Sequence, residues 1–573
     1  VAYNQRSGAC SLNAGAGDTG SQVPTAVGGN CWTANFSGIK PTPAIWGAKV
    51  DGTTDDSSAV QAAVNYLCST TLPLPAGRQL YMAPGKNRFH DIAVPCGVRV
   101  EGSGIGSIGF GSGNPISSQV DCSDIVAFCI RFRPPGSYPA ASQMDGGSVE
   151  NIAFMTSNRT GVILEFDQIR APTVKRVAIW NALNGIKIFG SIAGVIDDVQ
   201  LWFISGIGIE GSGDMSGPGC TLSACATRSD SLYIDNIVGG DSAYTSTGYY
   251  FHDQMFTVQG NDMQWENGAY GLRVTCGAGQ PDATYCPSHL IFKGLNLEFA
   301  TAPLSLMDFS DFLCSQCYMA GKSTTTTGDD VFAGLANYTT TNGAGGGIVI
   351  SDSQIYGASG SCVAIGVPDS KIRSSNIYAC NGANTGAAGV EYTAGARHTL
   401  SDTTLCTFLG VVGTTMGSWL VDSGASDVSS SNNTYFGCSG NPQNHSSVQA
   451  TVYESNPNPP PSPVTVAAGP NGSGLGSGAM NVTGNDFGGV ILLAPAGSPS
   501  AAGDVRLTMS AFHYPNVICT AITAGGSAAW TVGATVGNRT APTTSYFDFD
   551  WANAGAALTA GQTYQIFYRC GGF

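Results

Sequence analysis

Apolar positions recur along this chain in a short repeated beat rather than in long helical stripes. From about Val149 the spacing is an apolar residue, two others, a core position, one other, and a second apolar residue. It reads Val149-Ile152-Phe154, Val174-Val177-Ile179, Ile196-Val199-Leu201 and, more loosely, Leu232-Ile237. It continues as Val258-Asn261-Met263, Phe292-Leu295-Leu297, Leu313-Gln316-Tyr318, Ile350-Ser353-Ile355, Ile372-Ser375-Ile377 and Leu400-Thr403-Leu405. Successive starts lie from 21 residues apart (Phe292 to Leu313) to 37 (Leu313 to Ile350). Many units carry a second short strand, such as "GVILEF", "GIKIFG" and "GLRVTC". Strands repeated at this period, with Gly/Asn turns and no crossover helices, predict an all-β chain folded as a right-handed parallel β-helix.

One segment breaks the strand pattern. In "WGAKVDGTTDDSSAVQAAVNYL" (Trp46 to Leu67) an acidic turn precedes an apolar stripe at Ala59, Val60, Ala63, Val64 and Leu67. Asp55 and Asp56 stand at the start, where carboxylates satisfy free N–H groups and suit the helix dipole. A single helix with one apolar face must cover something. The open end of a β-helix, with its unpaired backbone, is what it is expected to cap.

The same segment resembles the N-terminal signature of the pectate-lyase-like β-helix superfamily, as found in phage tailspikes and related polysaccharide-degrading proteins. The resemblance covers about 20 residues directly, and the coil pattern extends it to about Cys438. It implies the β-helix and, for the tailspike type, a homotrimer. The superfamily holds hydrolases, lyases, epimerases and non-enzymatic binders, so fold alone does not settle function. The expected domains are an N-terminal arm (1–40), irregular and Gly-rich; the β-helix (41–453); a Pro-rich linker (454–466); and a C-terminal antiparallel β-sandwich (467–573).

Composition narrows the partners. Only 11% of residues are charged and the net charge is −15, which argues against nucleic acid or an anionic membrane. No apolar run is long enough to span a bilayer. Eighteen Cys, in local pairs such as Cys122/Cys129, Cys220/Cys225, Cys276/Cys286 and Cys519/Cys570, point to an oxidising, extracellular setting, on a virion tail or secreted. Cys314-x-x-Cys317 lies in what reads as an extended strand, where the two would be too far apart to bridge. "GSGIGSIGFGSG", from Gly102, lacks the Lys-Ser/Thr of a phosphate loop and reads as a coil turn. His252 reads as a surface or packed histidine. No cofactor and no metal site are implied.

Candidate chemistry follows from the alternation of side chains along strands. One outward row is expected to read Gln200, Asn236, Asp262, Asn296, Cys317, Gln354, Asn376. The next is expected to read Trp180, Trp202, Val238, Gln264, Glu298, Met319, Tyr356, Tyr378. Amides and carboxylates bridge vicinal hydroxyls, and aromatic faces pack against the C–H face of a pyranose, so this wall suits a long glycan. Trp180, Trp202, Gln264, Asn296, Tyr356 and Tyr378 are the candidate substrate-binding residues. Asp262, Glu266 and Glu298 are the candidate catalytic carboxylates. Asp262 and Glu298, on neighbouring coils and offset by two residues, are expected about 8 Å apart, within the spacing of inverting glycosidases. Glu298 is the expected general acid, its pKa raised by a neighbouring carboxylate, with Asp262 or Glu266 activating water.

The favoured function is hydrolysis of a bacterial surface polysaccharide: capsule, exopolysaccharide or O-antigen. A lyase on the same scaffold is the first alternative, with Lys293 and Arg273 as the available basic groups. A non-catalytic glycan receptor is the second.

Overall fold

Left-handed residues mark one corner of each coil from Asn151 to Asn432. Asn151, Arg176, Asp198, Asn236, Asp262, Gly294, Gln316, Asp352, Ser374, Asp402 and Asn432 stand one per coil, with φ between 46° and 68°. Most are Asn, Asp or Gly, the residues that enter this conformation most readily. Each turns the chain between two strand segments. A third segment completes the coil and joins a parallel sheet of thirteen strands. In this computed structural model the chain is therefore a right-handed parallel β-helix, followed by a C-terminal antiparallel β-sandwich. The structure describes residues 2–572 apart from 12–16, 19, 27–28, 37–38, 70–77, 107–116, 137–142, 214–228, 277–285, 322–328, 335–345, 381–388, 396, 406–419, 422–424, 426, 436–442, 445–450, 456–464, 469–471, 486–487, 510–516, 525–529, 535–544 and 554–556.

The core is the stack of apolar positions inside the coils, and most of the repeated triplets do point inward. Val149, Ile152 and Phe154 are buried, as are Phe292, Leu295 and Leu297. Three coils depart from the expected register. In the first, Ile234, Ile237 and Gly239 face inward, so Val238 and Gly240 take the outward rows and Asn236 is the corner. In the second, the inward triplet is Gly260, Met263 and Trp265; Val258 is buried one step earlier, and Asn261 does not face in. Gly260 has no side chain because Met263 and Phe292 occupy the space: an added Cβ would lie 2.4 Å from the Met263 sulfur and 2.6 Å from Phe292. In the third, Cys314, Cys317 and Met319 are buried, so Tyr318 faces out and Cys317 and Met319 face in, opposite to expectation. The cause is Gln316, whose left-handed backbone turns the chain between the two cysteines. They bridge, with Cα atoms 6.1 Å apart, which corrects the extended-strand argument.

Further along, the inward position after the corner becomes polar: Ser353, Ser375, Thr403 and Asn433 are all buried there. Each answers a backbone group at the corner. Cys317 N donates to Ser353 Oγ at 3.0 Å, and Thr403 N to Asn433 Oδ1 at 3.0 Å. Buried N–H groups need such partners.

The helix runs Ser57–Cys68 and buries its predicted stripe. It packs on the first strands, Gln79–Tyr81 and Ile92–Val94, and Cys68–Cys96 ties down its end. Asp55 satisfies a helix N–H, accepting from Ser57 N at 2.9 Å. Asp56 does not. Its buried carboxylate turns back to accept from Lys49 N (2.7 Å) and Val50 N (3.1 Å), clasping the preceding turn.

The N-terminal arm is more ordered than expected. Ala2–Arg6, Gln22–Pro24 and Cys31–Asn35 form an antiparallel sheet stapled by Cys10–Cys31. Cys122–Cys129, Cys276–Cys286 and Cys362–Cys380 are also bridged. Cys220 and Cys225 lie outside the described residues. Cys519 and Cys570 are direct cross-strand partners in backbone register. The last coil strand runs Thr451–Ser455, so Glu454 and Ser455 pair within the β-helix rather than in a linker. The C-terminal unit has two antiparallel sheets of four strands each. Its own core includes Leu493, Leu507, Phe549, Trp551 and Ile566. Among the described residues no helix is long and apolar enough to cross a membrane.

Candidate active site

The wall just after the left-handed corner carries two outward rows in strict register. The row nearer the corner runs Ala178, Gln200, Val238, Gln264, Asn296, Tyr318, Gln354, Asn376. The second runs Trp180, Trp202, Gly240, Glu266, Glu298, Ala320, Tyr356, Tyr378. Glu266 and Glu298 are therefore direct neighbours on adjacent coils, with backbones about 4.8 Å apart. An amide two residues back braces each of them. Gln264 Nε2 donates to Glu266 Oε1 at 2.6 Å, and Asn296 Nδ2 to Glu298 Oε1 at 2.8 Å. The result is two parallel amide–carboxylate pairs, side by side.

Asp262 is not part of this pair. It is the corner residue of its coil, exposed and left-handed at φ 46°. It stands four positions before Glu266 rather than on the wall. There its carboxylate occupies the space where a side chain on Gly294 would begin, with an added Cβ 2.5 Å from Asp262 Oδ1. The spacing argued between Asp262 and Glu298 thus falls away, because the inward positions run Ile196, Ile234, Gly260, two residues later than expected on both of the last two coils. Glu266, not Asp262, faces Glu298.

Small residues flank the acids: Gly240 precedes Glu266 in the row and Ala320 follows Glu298. Aromatics rise beyond them on both sides. Trp202 to Tyr356 is five steps of the row, about 24 Å. The acids therefore sit on a low stretch between two aromatic sections.

The C-terminal section is Tyr318, Tyr356 and Tyr378. Tyr356 and Tyr378 stack with centroids 5.0 Å apart and planes 6° apart. The hydroxyls of Tyr318 and Tyr356 are hydrogen-bonded to each other. Burial, that bond and the nearby charges, Glu298 among them, push the Tyr318 phenol well above its ordinary pKa. It stays protonated, and its hydroxyl is engaged with that of Tyr356. The sequence reading turned Tyr318 inward; the signal that would have found it is the Cys-x-x-Cys bridge, which demands a turn at Gln316.

The N-terminal section is a groove of about 460 Å³ lined by Asp121, Met155, Arg159, Trp180, Asn181 and Phe203 among others. Trp180 meets Phe203 edge-on at 4.8 Å. Trp202, Gln264, Asn296, Tyr356 and Tyr378 all lie on the wall where they were expected to bind glycan.

Charge also gathers on the thirteen-stranded face, in a row of alternating sign: Arg131, Glu165, Lys187, Glu210. Arg131 Nε lies 2.8 Å from Glu165, and Lys187 Nζ lies 3.4 Å from Glu210. His252 Nε2 lies 3.1 Å from Glu210, so this histidine is packed within the charge row. These acids are internally paired, whereas Glu266 and Glu298 are braced by neutral amides.

No family model matches the chain. Over 196 residues, 32% of its length, it is 37% identical to the capsule K30/K69-specific depolymerase 1 of Klebsiella phage K5-2. The chain resembles a phage capsule depolymerase. The match spans 23% of that relative's length. Among solved structures, the phiAB6 tailspike, in complex with oligosaccharides of Acinetobacter baumannii surface polysaccharide, matches 93% of this chain and 87% of its own, with 12% identity and a TM-score of 0.33. The N-terminal fragment of bacteriophage Phi29 gene product 12 matches 72% and 66%, with 12% identity and a TM-score of 0.44. The glycan biofilm modifying enzyme WceF of Pantoea stewartii matches 99% and 66%, with 9% identity and a TM-score of 0.31. The fold assignment rests on the strand pairing itself rather than on these distant matches.

Proposed function

We propose that the protein is a tailspike-like depolymerase that hydrolyses glycosidic bonds of a bacterial surface polysaccharide. The observation that carries the reading is the in-register, amide-braced pair Glu266 and Glu298, set between two aromatic sections. Retaining glycosidases hold their carboxyl groups roughly 5–5.5 Å apart, inverting ones roughly 6.5–9.5 Å. Adjacent-coil spacing of about 4.8 Å between backbones favours retention, replacing the inverting arrangement expected from Asp262. Glu266 attacks the anomeric carbon while the bond to the leaving oxygen breaks. Glu298 gives that oxygen its proton. Water then displaces Glu266 from the sugar and returns a proton to Glu298. Gln264 aims Glu266, and Asn296 orients Glu298.

Hydrolysis is favoured over elimination because neither row carries Lys or Arg. Lys293 lies across the corner, in line with Asn261. Arg273 is on the thirteen-stranded face, 4.8 Å from the Tyr270 ring and 5.4 Å from that of Tyr250. The disulfides accord with an extracellular protein, on a virion tail or secreted, and the tailspike resemblance with a homotrimer.

The test is incubation with a panel of bacterial capsular polysaccharides, including Klebsiella K30 and K69, with products sized and the first-formed anomer followed by NMR. Hydrolysis with retained configuration is expected. Glu266→Gln and Glu298→Gln should each lower turnover by about 10²–10⁴. An ultraviolet-absorbing unsaturated product would replace hydrolysis with lyase chemistry. Binding without any shortening of the polymer would leave a receptor.

A further inference from the structure

A second corner follows the candidate site, and one residue there does not fit the needs of the fold. Its left-handed positions are Asn181, Phe203, Asn267, Phe299, Gly357 and Ala379, with φ of 57°, 57°, 60°, 54°, 87° and 54°. Asn and Gly enter this conformation readily, whereas a bulky residue there is an outlier held at some cost. Two of the six are phenylalanine.

Phe203 shows what an aromatic at this corner does. It follows Trp202 and reaches back one coil, to meet Trp180 at 4.8 Å over the second row. Phe299 follows Glu298 as Phe203 follows Trp202, so an equivalent reach would bring its ring toward Glu266. No indole stands there. Phe299 is 47% exposed, and among the described residues its ring makes no aromatic contact. The chain also bulges at this point: Glu298 pairs with Ala320 and Ala300 with Gly321, leaving Phe299 as the extra residue. Bulges beside active sites re-aim a side chain. Left-handed strain, a bulge and an exposed aromatic ring coincide one residue from a candidate catalytic acid, and none of them adds to the core.

We propose that Phe299 is a sugar-stacking residue, which holds the C–H face of the pyranose unit being cleaved against the Glu266–Glu298 pair. The inference rests on the depolymerase reading and adds the residue that positions the ring over the acids.

The experiment compares wild type with Phe299→Asn, Phe299→Ala and Phe299→Trp on the capsular polysaccharide that the wild type cleaves, with thermal unfolding and light scattering in parallel. Asn relieves the left-handed strain, so Phe299→Asn should melt no lower than wild type. Its KM should nevertheless rise about tenfold, the scale of one lost apolar contact in a binding site, with a smaller change in kcat. Phe299→Ala should behave alike, and Phe299→Trp should keep KM near wild type. An unchanged KM in Phe299→Asn overturns the inference and leaves the depolymerase reading intact. A change in assembly state overturns it too, because the ring would then be a contact between copies. If the wild type cleaves nothing on the panel, the depolymerase reading fails by itself. Affinity electrophoresis in the same polysaccharides then decides the stacking role: weaker retention of Phe299→Asn than of wild type supports it, and equal retention or no retention of either overturns it.

Discussion

Asp167 offers a quantitative check on the charge row of the thirteen-stranded face. Its side chain is 7% exposed and one of its oxygens, Oδ1, has no hydrogen-bond partner. Arg133 Nε lies 3.2 Å from the other oxygen. Burial outweighs that attraction and pushes the Asp167 pKa from 3.8 up to about 6. The folded state thus binds this proton more tightly than the unfolded chain. Its contribution to stability is full below the ordinary pKa and is lost as pH rises through about 6. A shift of some two units corresponds to about 3 kcal/mol, at 1.36 kcal/mol per unit. Asp167→Asn keeps the shape and cannot ionise. It should be more stable than wild type at pH 8 by up to about 3 kcal/mol, and the two should converge near pH 4. Thermal unfolding of both proteins at the two pH values isolates the group, because every other carboxyl is common to the pair. A variant less stable than wild type at pH 8, or a difference independent of pH, would refute the reasoning.

Two further substitutions test the site and its support. Asp262→Asn keeps a residue suited to the left-handed corner, so it should change stability by less than about 0.5 kcal/mol and leave cleavage unaltered; a large loss of turnover would return Asp262 to the catalytic group. Gly248→Ala would place a Cβ 2.5 Å from Cγ of the buried Trp265 and 2.6 Å from the Gly271 carbonyl oxygen. Overpacking of this kind costs about 1–3 kcal/mol. Because Trp265 lies between Gln264 and Glu266, both melting temperature and cleavage rate should fall, whereas Gly346→Ala, with nothing within 4 Å, should change neither.

Most of the coil register was legible because inward positions are apolar and repeat. It failed where a core position carried no side chain or was displaced. Gly260 left a blank that the apolar beat stepped over, which moved Asp262 onto the wall. The turn at Gln316, inside the Cys314–Cys317 bridge, hid Tyr318 by inverting the strand. Phe299 was invisible because nothing local distinguishes a bulged, left-handed phenylalanine from a strand residue.

Periodic burial, the capping helix and a wall of amides, acids and aromatics were determined by the sequence itself, since they depend on residue type and on spacing within one coil. Which acid faces which was decided only by the tertiary structure. Register between coils is settled by packing across them: Phe292 fills the place that Gly260 vacates, and Glu266 is thereby brought level with Glu298. A slip of two residues costs little in local pattern, yet it changes which carboxylates can act on one bond.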